Sequence, residues 1–131
     1  MSKTRILVVD DEQDFIWLLK LNLESTGHYT VRTERSPANV LAMAREFRPD
    51  VIVLDALLPG ENGYEIAARL HATAELRDVP VLFLTASVAR ARGPEPMRKF
   101  AGHRFLSKPV TVQDLVAGIE ACLRETGCRA R

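Results

Sequence analysis

Arg5-Ile6-Leu7-Val8-Val9-Asp10-Asp11 decides the fold: an apolar run stops abruptly on two carboxylates. A strand with one wet face alternates apolar and polar positions, whereas a strand covered by helices on both faces does not. Val51–Leu54 (VIVL) and Val81–Leu84 (VLFL) have the same unbroken form. Tyr29–Thr33 alternates, as an edge strand does, and Arg104–Leu106 supplies a short fifth strand. Helical spacing fills the intervals. Asp14–Ser25 carries Phe15, Ile16, Leu19 and Leu23 on one stripe, and Ala38–Phe47 follows Ser36-Pro37, a cap residue and a proline suited to a first turn. Asn62 stands three residues before Glu65 at the head of Tyr64–His71, a capping-box-like start. Thr111 opens a last helix on which Val112, Val116, Ile119 and Leu123 share a face. Strict β–α alternation with short connections predicts an α/β fold, a parallel sheet with helices on both faces. Arg90–Lys99 is the weakest stretch, because Gly93-Pro94-Glu95-Pro96 interrupts any helix there.

The chain has 131 residues, enough for a single core. With 47% hydrophobic and 27% charged residues it is not a disordered sequence. Its apolar runs fall far short of the ~20 residues of a membrane span, so no membrane insertion is expected. Eighteen basic against seventeen acidic residues leave a net charge of +1, which offers no global field for direct nucleic-acid binding. Cys122 and Cys128 fit neither a disulfide framework nor a zinc spacing, so a cytoplasmic location is expected. His28, His71 and His103 show no metal-ligand spacing either, and His103 reads as a satisfied surface histidine. Residues 125–131 read as a short basic tail beyond a domain of residues 1–124.

In an open parallel sheet, ligands bind beyond the carboxyl ends of the strands. Asp10-Asp11 come after the first strand, Asp55 after the third, Thr85 after the fourth and Lys108-Pro109 after the fifth. Singly, each has a structural reading: an aspartate forms a turn or caps a helix, a threonine ends a strand, a lysine is solvated. Jointly they do not, because three carboxylates at one edge repel unless a cation sits among them. An all-oxygen donor set of this size suits Mg²⁺. Asp55, alone on the central strand, is the carboxylate free to act as a nucleophile, with Asp10 and Asp11 on the metal. Thr85 and Lys108 offer a hydroxyl and a positive charge to the oxygens of a transferred phosphoryl group.

Val9-Asp10-Asp11-Glu12, Asp55-Ala56-Leu57-Leu58-Pro59 with Gly63, Leu84-Thr85-Ala86 and Phe105-Leu106-Ser107-Lys108-Pro109 together resemble the response-regulator receiver domain of two-component signalling, over about Lys3 to Arg124. The resemblance implies a flavodoxin-like, doubly wound sheet of five parallel strands in the order 2-1-3-4-5, with five helices. It implies a phosphorylation-dependent switch rather than an enzyme, its only catalysis being its own phosphorylation and dephosphorylation. Asp55 would accept the phosphoryl group from a histidine kinase or histidine phosphotransfer protein. Asp11 would bind Mg²⁺ directly, Asp10 mainly through water, and the Leu57 backbone carbonyl would be a further ligand beside Asp55. Thr85 and Phe105 would be the switch pair, and Lys108 would form the ion pair that reports phosphorylation. A downstream protein would read the face made by the fourth helix, fifth strand and last helix. The donor would dock near the first helix, where Trp17, Leu18 and Leu21 lie on or beyond the flank of the inward stripe.

Certain positions depart from the family. The resemblance implies a regular fourth helix after Thr85, but Gly93-Pro94-Glu95-Pro96 lies within that segment, so the helix is expected from near Glu95 and Ser87–Gly93 as a long loop. His103-Arg104 stands where an acidic pair is frequent, and Gln113-Asp114 where transcription-factor relatives carry a basic–acidic pair, so the dimer those residues build is not expected. Leu57 and Ser87 occupy the two positions that tune phosphoryl lifetime; a leucine cannot orient water, which predicts a lifetime of minutes or longer. The length leaves no room for an output domain, which predicts either a receiver acting alone or a fragment of a longer regulator. A Mg²⁺-dependent aspartate-nucleophile phosphohydrolase wants Asp-x-Asp after its first strand and a cap domain, unlike the adjacent Asp10-Asp11 here. A nucleotide or flavin protein is disfavoured, since no G-x-G-x-x-G or G-x-x-x-x-G-K-[ST] stands after a strand.

Overall fold

The computed structural model describes residues 3–58, 60–85, 97–100 and 103–130, with side chains for 3–58, 60–85 and 103–125. The long strands are β1 (Thr4–Val9), β2 (Tyr29–Glu34), β3 (Val51–Asp55), β6 (Val81–Thr85) and β8 (His103–Ser107), with a two-residue hairpin, β4 (Leu57–Leu58) and β5 (Glu61–Asn62), after β3. The main sheet runs β2-β1-β3-β6-β8-β7, where β7 is Met97–Phe100. Its first five members pair in parallel, which is the predicted 2-1-3-4-5 order.

Helices α1 (Gln13–Ser25), α2 (Val40–Phe47), α3 (Gly63–Ala72) and α4 (Val112–Ala130) cover both faces. Alternate residues of the unbroken runs divide between two cores. Ile6, Val8, Val51, Val53, Leu82 and Leu84 pack with Ile16, Leu19 and Leu23 of α1 and Leu115 and Ile119 of α4. Leu7, Val9, Ile52, Leu54 and Phe83 pack with Val40 and Ala44 of α2 and Ile66, Ala67 and Leu70 of α3. The run of four or five apolar residues is thus two period-2 patterns laid over one another.

Local signals act largely as read. The Asn62 side chain accepts a hydrogen bond from the Tyr64 N–H at 2.7 Å, and Thr111 Oγ1 accepts from the Asp114 N–H at 3.0 Å. Ser36 is different: it makes no side-chain cap, and Pro37–Asn39 form a 3₁₀ turn ahead of α2. α4 continues to Ala130, past the expected boundary at Arg124.

The helix expected between β6 and β8 meets the described residues only at Met97–Phe100. Its expected start near Glu95 and the loop Ser87–Gly93 lie outside the described residues, as do Pro59, Ala86 and Ser87. Where that helix would continue, Met97–Phe100 is a strand antiparallel to β8, with Met97 opposite Leu106 and Phe100 opposite His103. A strand there satisfies the backbone edge that β8 would otherwise present to solvent. His103 has ring partners, as a satisfied histidine does. Half-buried, it stacks on His71 with ring centroids 5.6 Å apart and meets Phe83 edge-on at 5.2 Å.

Candidate functional site

The carboxyl ends of β1, β3, β6 and β8 converge, and the residues singled out there come together. Asp10 is fully buried, Asp55 and Thr85 nearly so, and Asp11 is half-exposed. Each aspartate ends an apolar strand, so the strand's burial carries it inward and the next turn supplies backbone donors. Asp10 Oδ1 accepts from the Glu12 N–H at 3.0 Å, and Asp55 Oδ1 accepts from the Leu57 N–H at 3.1 Å. These bonds fix both carboxylates in turns two residues long.

Lys108 bridges the second oxygens. Its ammonium donates to Asp10 Oδ2 at 2.8 Å and Asp55 Oδ2 at 3.3 Å, with Glu12 Oε1 at 3.7 Å. The Lys108-Pro109 peptide is cis, and the Lys108 N–H donates to the Thr85 carbonyl at 3.0 Å, tying the lysine's loop to the end of β6. Gly63, the first residue of α3, donates its N–H to the Ala56 carbonyl at 2.9 Å and so packs directly on the end of β3.

Burial pushes the Asp55 carboxyl above the ordinary carboxylate range; the Leu57 N–H and Lys108 pull against the rise, and the charge of Asp10 adds to it. Burial alone would lower the Lys108 ammonium, but the hydrogen bond and charge of Asp10, with Asp55 behind them, hold it above the ordinary lysine value. Among the described residues, Asp10, Asp11 and Asp55 form the group that can hold a metal, their ligand atoms all within 4.8 Å of one another. Three carboxylate oxygens in that space fit a hard divalent cation, which removes the like-charge repulsion that Lys108 only partly offsets.

Phe105 is buried on β8, its ring stacked on Phe83 with centroids 5.3 Å apart and 6.0 Å from that of Tyr64. Leu57 is 65% exposed beside Asp55. On α1, Trp17, Leu18 and Leu21 are 59%, 54% and 47% exposed. Two neighbours of Lys108 carry no signal of their own in the sequence. Glu12 stands there only as the end of a motif, and Phe15 lies on the inward stripe of α1, yet Lys108 Nζ sits over the Phe15 ring, 4.8 Å from the centroid. The available signal is position: both lie within five residues of Asp10, where α1 leaves the strand end.

The family profile of the response regulator receiver domain matches residues 6–120. The chain is similar to protein PilH of Pseudomonas aeruginosa, 34% identical over 91% of this chain and 97% of that protein. It is similar to the polar-differentiation response regulator DivK of Brucella ovis, 32% identical over 94% of this chain and 98% of DivK. It is also 33% identical to the DNA-binding dual master transcriptional regulator RpaA of Synechocystis, but spans only 50% of its length. Among solved structures, the chemotaxis response regulator CheY4 of Vibrio cholerae superposes with a TM-score of 0.79 at 25% identity, over 93% of this chain and 100% of CheY4. The profile, the relatives and the convergent strand ends agree: the chain belongs to the response regulator receiver domains, phosphorylation-dependent switches of two-component signalling.

Proposed function

We propose that Asp55 is the phosphoacceptor of this switch and that Asp10, Asp11, Asp55 and the Leu57 backbone carbonyl hold Mg²⁺. The observation that carries the reading is the single ammonium of Lys108 shared between the buried carboxylates of Asp10 and Asp55. The donor is a histidine kinase or histidine phosphotransfer protein. A carboxylate oxygen of Asp55 forms the new O–P bond as the P–N bond of the donor's phosphohistidine breaks, and the electron pair returns to the imidazole. Bound Mg²⁺ supplies neutralisation of the phosphoryl oxygens. The Leu57 N–H keeps the carboxylate oriented, and the buried surroundings limit water. Lys108 exchanges its contact with Asp55 for one with the phosphoryl group, and Thr85 turns its hydroxyl toward the same group. Phe105 then repacks, and the face of β8 and α4 changes its affinity for a downstream protein. Catalysis is confined to this self-phosphorylation and dephosphorylation. Among the described residues no helix is long and apolar enough to cross a membrane.

The test is an amide spectrum with beryllofluoride and Mg²⁺. Shifts spreading from residues around Asp55 to β8 and α4 are expected, and chelating the metal should reverse them. An unchanged spectrum of folded protein would count against both site and switch.

The donor docks on α1. Trp17, Leu18 and Leu21 project within an arc of about 100° opposite the buried stripe of Ile16, Leu19 and Leu23. An open groove lined by Glu12, Gln13, Asp14, Phe15 and Leu18 runs from that face to the rim of the site. Leu18→Ser with Leu21→Ser should slow transfer from the protein donor while leaving uptake from phosphoramidate and the melting temperature unchanged. Equal transfer rates would remove α1 from the docking surface.

A further inference from the structure

Lys108 has a fourth neighbour besides the three carboxylates, and this one carries no charge. Its nitrogen lies 4.8 Å from the centroid of the Phe15 ring, inside the ~6 Å within which an ammonium is attracted to an aromatic face. We propose that Phe15 is a positioning residue for the phosphoryl chemistry, its ring keeping the Lys108 ammonium turned toward Asp10 and Asp55. The inference rests on the role assigned above to Lys108.

A lysine head is a compact, strongly hydrated charge on a flexible stem, so little in its own chain fixes its direction. Two partners draw it inward, Asp10 at 2.8 Å and Asp55 at 3.3 Å, while Glu12 draws it outward from 3.7 Å with a side chain 65% exposed. The inward pair is also the pair that changes during function, because a cation at Asp10 and a phosphoryl group on Asp55 each alter the charge that the ammonium sees. The ring face depends on neither carboxylate and so persists through the change.

Phe15 is well placed for this task. It lies in the first turn of α1, partly buried against the core shared by α1 and α4, and its neighbour Ile16 is buried. Core packing alone asks only for an apolar side chain of similar size. The aromatic face is what a leucine would lack. Phe15 also lines the groove beside Leu18, so a donor seated on α1 would press on the residue that aims Lys108.

The experiment compares wild type, Phe15→Leu and Phe15→Trp by two readouts. In wild type the Lys108 ε-methylene protons should show an upfield ring-current shift and cross-peaks to the Phe15 ring. The shift should vanish in Phe15→Leu and remain in Phe15→Trp. Phosphoryl uptake from phosphoramidate with Mg²⁺ should fall about three- to tenfold in Phe15→Leu and recover in Phe15→Trp. Unshifted Lys108 protons in wild type, or uptake in Phe15→Leu equal to wild type, would overturn the proposal. Should Phe15→Leu fail to fold, Phe15→Met replaces it, and the wild-type cross-peaks decide the contact without any variant. If wild type takes up no phosphoryl group at all, the assignment of the site fails, whereas the Lys108 resonances still judge the hold of Phe15.

Discussion

Asp55→Asn is expected to take phosphoryl uptake from phosphoramidate or a phosphohistidine donor down to background, in a protein that remains folded. The substitution keeps the size of the side chain and one carbonyl oxygen, which can still accept the Leu57 N–H that now bonds Asp55 Oδ1. It removes the anionic oxygen that would attack phosphorus, and an amide is no substitute nucleophile. Lys108 keeps its shorter contact, to Asp10 at 2.8 Å, and loses the longer one to Asp55 at 3.3 Å. Stability should not fall. Burial and the nearby Asp10 both push the Asp55 carboxyl toward its neutral form, so a neutral amide suits the position at least as well as the charged group. Mass spectrometry after incubation with donor and Mg²⁺ checks the first outcome, and a thermal melt checks the second. Incorporation at the wild-type level would move the acceptor to another carboxylate of the cluster, Asp10 or Asp11.

The parts of this site legible in the sequence are those that a strand delivers. Asp10, Asp55, Thr85 and Lys108 each stand at or just past the end of an apolar run, and a buried parallel strand has a clear end on a fixed side of the sheet. Contacts that depend on side-chain reach are not legible in this way. The contact of Phe15 with Lys108 joins residues 93 positions apart in numbering and requires both side chains to turn toward the strand end. His71 and His103 meet in the same way, through facing positions of α3 and β8 that carry no spacing signal. The strand Met97–Phe100 is hidden for another reason. Four residues are too few to show a period, and the expectation of a helix there rests on family habit. Its pairing with β8 is a tertiary fact, set by the need of β8 for a partner on its outer side.

Gly63→Ala should cost more stability than any other small substitution near the site, and should impair phosphorylation beyond that cost. A Cβ on Gly63 would lie 2.5 Å from the Asp55 carbonyl oxygen, 2.9 Å from Ala56 Cα and 3.0 Å from the Ala56 carbonyl oxygen. All three are backbone atoms at the end of β3, so no rotamer change relieves the contact. α3 must back away, weakening the Gly63 N–H bond to Ala56 at 2.9 Å and the packing of Ile66, Ala67 and Leu70 beneath it. Overpacking of this kind costs about 1–3 kcal/mol, and a methyl group's gain in helix propensity offsets at most about 1 kcal/mol. A fall in melting temperature of roughly 5–10 °C is expected. The displaced atoms belong to the phosphoacceptor and its neighbour, and a shift of about 1 Å can cost a reaction about a hundredfold. Uptake should therefore drop well below wild type even at temperatures where the variant is fully folded. Gly60→Ala supplies the contrast. Gly60 has φ +78°, and no described residue lies within 4 Å of a Cβ there, so alanine meets left-handed strain of about 1–2 kcal/mol and leaves the end of β3 untouched. The pair separates destabilisation from displacement: both variants should melt earlier, and only Gly63→Ala should lose phosphoryl uptake while folded. Normal uptake in folded Gly63→Ala would mean that β3 yields without moving Asp55.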